Sequence, residues 1–68
     1  MTFGEKLRDL RIQRELKLKD VAAQLNINIM TYSHYELGDR EPSLEMLKTL
    51  CIFFDVSADY LLGLTDGY

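Results

Sequence analysis

Apolar residues recur every three or four positions from Phe3 onward, and no stretch alternates apolar with polar residues as a half-buried strand does. That period predicts five helices and no sheet. In the first, Phe3, Leu7 and Leu10 share one face with Arg11, which leaves Lys6, Asp9 and Gln13 to water. Thr2-Phe3-Gly4-Glu5 has the spacing of a capping box, where a hydroxyl and a carboxylate each satisfy a free amide. This helix runs to about Arg14. The second, roughly Leu18 to Leu25, places Val21, Ala22 and Leu25 together, with small Ala22 where a neighbouring helix comes close. Lys17 stands where Ser, Thr or Asp would cap an amide, so this helix is predicted to start poorly capped. Asn26 suits the left-handed conformation that ends a helix, Ile27 plugs the turn, and Asn28 caps a third helix.

The third helix has two unlike faces. Tyr32, Tyr35 and Glu36 fall on one, while Ile29, Met30, Ser33, His34 and Leu37 fall on the other. Gly38 ends it, and Asp39-Arg40-Glu41-Pro42 forms an exposed loop. Ser43 caps a fourth helix with a core stripe of Leu44, Leu47, Leu50, Cys51 and Phe54, ending near Asp55. Val56 fills the next gap, and Ser57 caps a short fifth helix that buries Tyr60, Leu61 and Leu62 before Gly63.

Sixty-eight residues, 47% of them hydrophobic, make one packed domain spanning 1–68. A core of this size leaves a margin of about 3–5 kcal/mol, so a partner subunit is expected. The single cysteine, Cys51, lies in an apolar run without a disulfide partner, which predicts a buried thiol in a reducing compartment. With no leader pattern and no apolar run near the roughly 20 residues of a membrane span, a cytoplasmic protein is predicted.

Net charge is −3 and the pI about 4.9, which by itself argues against a nucleic-acid partner. The distribution changes that. Residues 1–19 hold six bases (Lys6, Arg8, Arg11, Arg14, Lys17, Lys19) against three acids, whereas residues 20–68 hold two bases against eight acids. Phosphate contact requires a basic face and not a basic total. One His and one Cys far apart offer no metal-ligand spacing, and Asp39 and Glu41 have no nucleophile or base beside them. No metal, cofactor, small-molecule ligand or enzymatic activity is predicted.

Helices two and three, joined by a short apolar-plugged turn, have the layout of a helix-turn-helix. Four segments in order extend the likeness: Phe-Gly-x-x-Leu-Arg-x-Leu-Arg at Phe3–Arg11, Val-Ala-x-x-Leu at Val21–Leu25, Tyr-x-x-Gly-x-Arg-x-Pro-Ser at Tyr35–Ser43, and Val-Ser-x-Asp-Tyr-Leu-Leu-Gly at Val56–Gly63. On these residues the chain resembles the Cro and lambda-repressor-like, or XRE, family. The resemblance implies an all-α, compact five-helix bundle and a sequence-specific DNA-binding transcriptional regulator, a repressor type that reads a palindromic operator as a homodimer.

By position, the resemblance also implies roles. Arg11 and Glu36 become a structural ion pair. Ile29, Met30, Ser33 and His34 become base readers, and Lys17, Lys19, Asn28 and Arg40 become phosphate contacts. The dimer contact is expected on the last two helices, from Ile52, Phe53, Tyr60, Leu64 and Tyr68. Two departures from the family pattern matter. Leu18 replaces a phosphate-clamping glutamine at the start of helix two, and Ile29 and Met30 cannot hydrogen-bond a base edge, although they can pack on thymine methyl groups. Together with the negative total charge, these departures leave a second reading open: a protein-interaction module of the same fold, an antirepressor or modulator that does not bind DNA.

Overall fold

A computed structural model describes all residues 1–68. Five helices form and no strand does: α1 Phe3–Gln13, α2 Leu18–Leu25, α3 Ile29–Leu37, α4 Leu44–Phe54 and α5 Ala58–Leu62. None is long and apolar enough to cross a membrane. α1 packs on α3 and α5, α2 on α3 and α4, and α4 on α5.

The helix ends are set by local chemistry. Thr2 and Glu5 close the capping box: the Glu5 amide donates to Thr2 Oγ1 at 3.1 Å and the Thr2 amide to Glu5 Oε1 at 2.7 Å. That amide is the main reason the Glu5 carboxyl titrates below its usual range. Asn28, Ser43 and Ser57 each accept a first-turn amide. Asn26 and Asp55 adopt the left-handed conformation at the ends of α2 and α4, as Gly38 and Gly63 do for α3 and α5. α2 starts better than Lys17 implied, because the cap amide donates to Asp20 Oδ2 at 2.8 Å. Only the hydroxyl half of the usual arrangement is missing.

Leu7, Leu10, Val21, Tyr32, Leu50 and Phe54 have no solvent exposure and form the centre of the core, with Ala22, Leu25, Tyr35, Val56, Tyr60 and Leu61 around them. Each large side chain so buried contributes about 1.5–3 kcal/mol. Two members of the predicted stripes do not join this core. Leu44 is 83% exposed and Leu62 56% exposed. Leu44 opens α4, and burial along its stripe deepens only from Leu47 to Leu50 and Phe54. Leu62 closes a helix of 5 residues, on which Tyr60 and Leu61 already occupy the single inward face.

Three of the eight Lys and Arg residues are used to fasten helices together. Lys6 Nζ donates to the Tyr60 carbonyl at 2.8 Å and lies 5.1 Å from the Tyr60 ring centroid. The Arg14 guanidinium donates to the Phe54 carbonyl at 2.6 Å and lies over the Phe54 ring. Both cations therefore sit at the carbonyl ends of short helices, where the backbone dipole favours them. Arg11 is the third, paired with Glu36: Nε to Oε2 at 2.7 Å and a second guanidinium nitrogen to Oε1 at 3.1 Å. Half of the six bases counted in residues 1–19 are engaged in these contacts, Arg14 while remaining exposed, and the exposed Arg8, Lys17 and Lys19 are not.

One core group stays unsatisfied. The Tyr32 hydroxyl is buried beside the Glu36 carboxylate but not at hydrogen-bonding geometry to it, and burial first, then the closeness of that carboxylate, pushes its pKa far above the usual phenol range. Tyr32→Phe removes an unpaired polar atom and keeps the ring. It is expected to leave stability unchanged or to raise it by up to about 1 kcal/mol in a urea titration; a loss of that size would show that the hydroxyl is bonded after all.

Candidate nucleic-acid interface

α3 is held by its inner face. Tyr32 and Tyr35 meet edge to face with ring centroids 6.4 Å apart, and the Glu36 side chain, 6% exposed, is clamped by Arg11, 13% exposed. Arg11 also donates to the Leu16 carbonyl at 3.0 Å, so one guanidinium ties α1, the turn before α2, and α3. The pair predicted from the resemblance forms, and it fixes the rotation of α3 about its own axis.

That rotation leaves the outer face open. Ile29 is 43% and Met30 62% exposed, while Ser33 and His34 are half-buried. None of these four is packed inside the chain. Around them, Lys17, Lys19, Asn28 and Arg40 are exposed. Asn28, at the N-terminus of α3, accepts the Met30 amide on its side-chain Oδ1 at 2.7 Å, which leaves its side-chain NH2 without a partner in the protein. Leu18 is half-buried against the core, so the position of the family's phosphate-clamping glutamine offers no polar group here.

A residue missed by sequence reasoning completes the face. Asp39 Oδ2 lies 3.2 Å from His34 Nδ1. The Gly38 turn makes this possible: the amides of Gly38 and Asp39 both donate to the His34 carbonyl, at 3.0 and 3.1 Å, folding the chain back over the last turn of α3. A helix-ending glycine four residues after the histidine, followed by an acid, was the available signal.

The expected dimer residues divide. Ile52 (78% exposed) and Leu64 are open to solvent. Phe53 instead packs partly against the core and edge-on to Phe54. Tyr60, expected at a partner surface, is buried within the chain, because its ring fills the gap between α1 and α5 beneath Lys6. Tyr68 stays 56% exposed while one edge folds back on the chain: its ring meets Tyr60 edge to face at 4.8 Å, and its hydroxyl donates to Gln13 at 3.2 Å.

Known proteins share both sequence and fold. The chain is 39% identical over 64 residues to the uncharacterized HTH-type transcriptional regulator YobD of Bacillus subtilis, covering 94% of this chain and 57% of the relative. It is 39% identical over 54 residues to the cryptic phage CTXphi transcriptional repressor RstR of Vibrio cholerae, covering 79% of this chain and 49% of the relative. The chain thus spans about half the length of the curated relatives it matches. Among solved structures, the P22 c2 repressor protein in complex with synthetic operator 9T superposes with a TM-score of 0.86 at 26% identity, over 91% of this chain and 94% of that one. The helix-turn-helix family model matches residues 7–61, the stretch that runs from the first core leucine to the last. With α2, the Asn26–Asn28 turn and α3 arranged as above, the chain belongs to the helix-turn-helix family, in its XRE branch.

Proposed function

We propose that this chain is the sequence-specific DNA-binding part of a cytoplasmic transcriptional regulator, a repressor type that lays α3 in the major groove. The observation that carries the reading is the anchoring of α3 by Tyr32, Tyr35 and the Arg11–Glu36 pair, with Ile29, Met30, Ser33 and His34 left accessible. A helix fixed in rotation can present the same atoms to the same base edges each time, which sequence reading requires. Ser33 and His34 supply hydrogen bonds. Ile29 and Met30 supply contact with thymine methyl groups. Lys17, Lys19, Asn28 and Arg40 hold the flanking phosphates and set the register. The P22 c2 repressor, whose fold this chain shares, was solved on an operator, and the relatives named above are transcriptional regulators.

We further propose a homodimer on a two-fold symmetric site, with recognition helices entering successive major grooves about 34 Å apart. The apolar residues left exposed on α4, at the end of α5 and beyond it (Leu44, Ile52, Leu62, Leu64 and Tyr68) support it, in place of Phe53 and Tyr60. Selection of bound fragments from random duplexes tests both parts. A palindromic consensus is expected. Enrichment of an asymmetric single half-site would remove the dimer, and no enrichment at low salt would remove the DNA reading. On the selected site, the Lys17→Ala, Arg40→Ala double variant is expected to weaken binding and to lower the slope of log affinity against log salt by about 2. An unchanged slope would show that neither residue touches a phosphate.

A further inference from the structure

The first turn of α3 presents carbon where a base reader usually presents a hydrogen bond. A recognition helix meets base edges with its N-terminal residues, and here these are Ile29, 43% exposed, and Met30, 62% exposed. Isoleucine has no donor or acceptor in its side chain, and methionine only a weak sulfur acceptor. Their neighbours do not supply what they lack. Asn28 has its Oδ1 on the Met30 amide at 2.7 Å, Thr31 is half-buried, and Ser33 and His34 stand one turn further along. Nor is there an inward place for the pair, because the Arg11–Glu36 fork holds Tyr32 and Tyr35 on the buried side. Lys17, Lys19 and Arg40, exposed and without a side-chain partner, lie on the segments before and after α3. An occupant that complements this face is therefore polyanionic and carries apolar atoms at its centre. Duplex DNA has both.

One apolar group lies on the base edges of the major groove, the C5-methyl of thymine. Cytosine bears a hydrogen on the same carbon, and 5-methylcytosine bears the same methyl in the same place. The adjacent polar groups differ, O4 on thymine and the N4 amino group on cytosine, but an apolar side chain pairs with neither. Resting on the DNA-reading proposal above, we propose that Ile29 and Met30 form a C5-methyl reader, so that this chain responds to methylation of cytosine in its operator as it responds to thymine. The ligand class is a C5-methylated pyrimidine held in duplex DNA. Ile29, β-branched and stiff at χ1 within a helix, supplies a fixed wall. Met30, unbranched and polarisable, closes on the methyl from the other side. Removing the methyl leaves apolar surface facing a gap, which costs about fourfold in affinity for each methyl lost.

The test uses duplexes of the selected site in which each position in turn holds thymine or uracil opposite adenine, and cytosine or 5-methylcytosine opposite guanine. Each comparison then differs by one methyl group. Affinities are read by fluorescence anisotropy at one salt concentration. At adjacent positions of each half-site, the methyl is expected to raise affinity about fourfold in both comparisons, and elsewhere both ratios stay near one. The Ile29→Ala, Met30→Ala double variant is expected to bring the ratios near one at every position while its phosphate contacts still hold the duplex. Met30→Gln alters a side chain that the core does not use, so it keeps the fold and is expected to lower both ratios.

Three results overturn the proposal: affinity indifferent to uracil and to 5-methylcytosine at every position, a response to thymine against uracil with none to 5-methylcytosine against cytosine, or a methyl response of undiminished size in both variants, which marks a change of duplex shape. A chain that prefers no duplex at low salt overturns the DNA reading as well, and leaves the apolar pair to a protein partner. That outcome is distinguishable because the other three all require specific binding.

Discussion

Gly4→Ala is expected to lower stability by about 3 kcal/mol, which removes most of the margin of about 3–5 kcal/mol that a domain of this size has. A Cβ built at Gly4 would lie 2.2 Å from the Glu36 carbonyl oxygen and 2.7 Å from that of Tyr35. Both are backbone atoms, so no side chain can rotate away. Relief requires the first turn of α1 to move off the end of α3. On helix propensity alone the prediction has the opposite sign, since alanine inside a helix is favoured over glycine by about 1 kcal/mol. Urea titration of the two proteins decides between them. Equal or greater stability for the alanine variant would mean that α1 and α3 do not approach as closely as described.

The second large effect concerns the Arg11–Glu36 pair. Glu36→Ala leaves a guanidinium that is mostly shielded from water without its carboxylate, and a loss of about 3 kcal/mol is expected. Replacing both partners with apolar residues, as Arg11→Met with Glu36→Leu, is expected to recover most of that loss, because desolvating the pair offsets much of its attraction. Stability and DNA binding should then separate. The doubly substituted chain folds, yet α3 loses the fork that sets its rotation, so affinity for the selected operator falls while affinity for unrelated duplexes stays. Double-variant stability no better than Glu36→Ala alone would show that the pair contributes net stability and not orientation.

Much of this was legible from residue order. The capping residues Thr2, Asn28, Ser43 and Ser57 and the helix-ending Asn26 and Gly38 act through contacts two to four residues away, and those contacts are written in local spacing. The two faces of α3 were legible for the same reason. Contacts across long stretches of chain were not. Gly4 was visible as part of a motif, but its close approach to α3 depends on how two helices cross. Lys6 read as a wet position and Arg14 only as part of the basic excess, and their carbonyl partners lie 54 and 40 residues away. Tyr60 read as both core and partner surface, and only the placement of α1 above α5 resolves it. Asp39 failed differently: it is near His34 in sequence, but an acid in a loop after a glycine has no assigned partner until the turn geometry is known.

The cations at the ends of α4 and α5 have a consequence for how the molecule opens. Arg14 and Lys6 both belong to the segment around α1, and each holds a late carbonyl of a different C-terminal helix while lying against an aromatic ring beneath it. Peeling α4 and α5 away would bare two acceptors and two ring faces at once, so neither helix has a cheap partial excursion of its own. The first and last thirds of the chain are thereby made to come apart together, and the slowest-exchanging amides of α1 and α4 share one protection free energy.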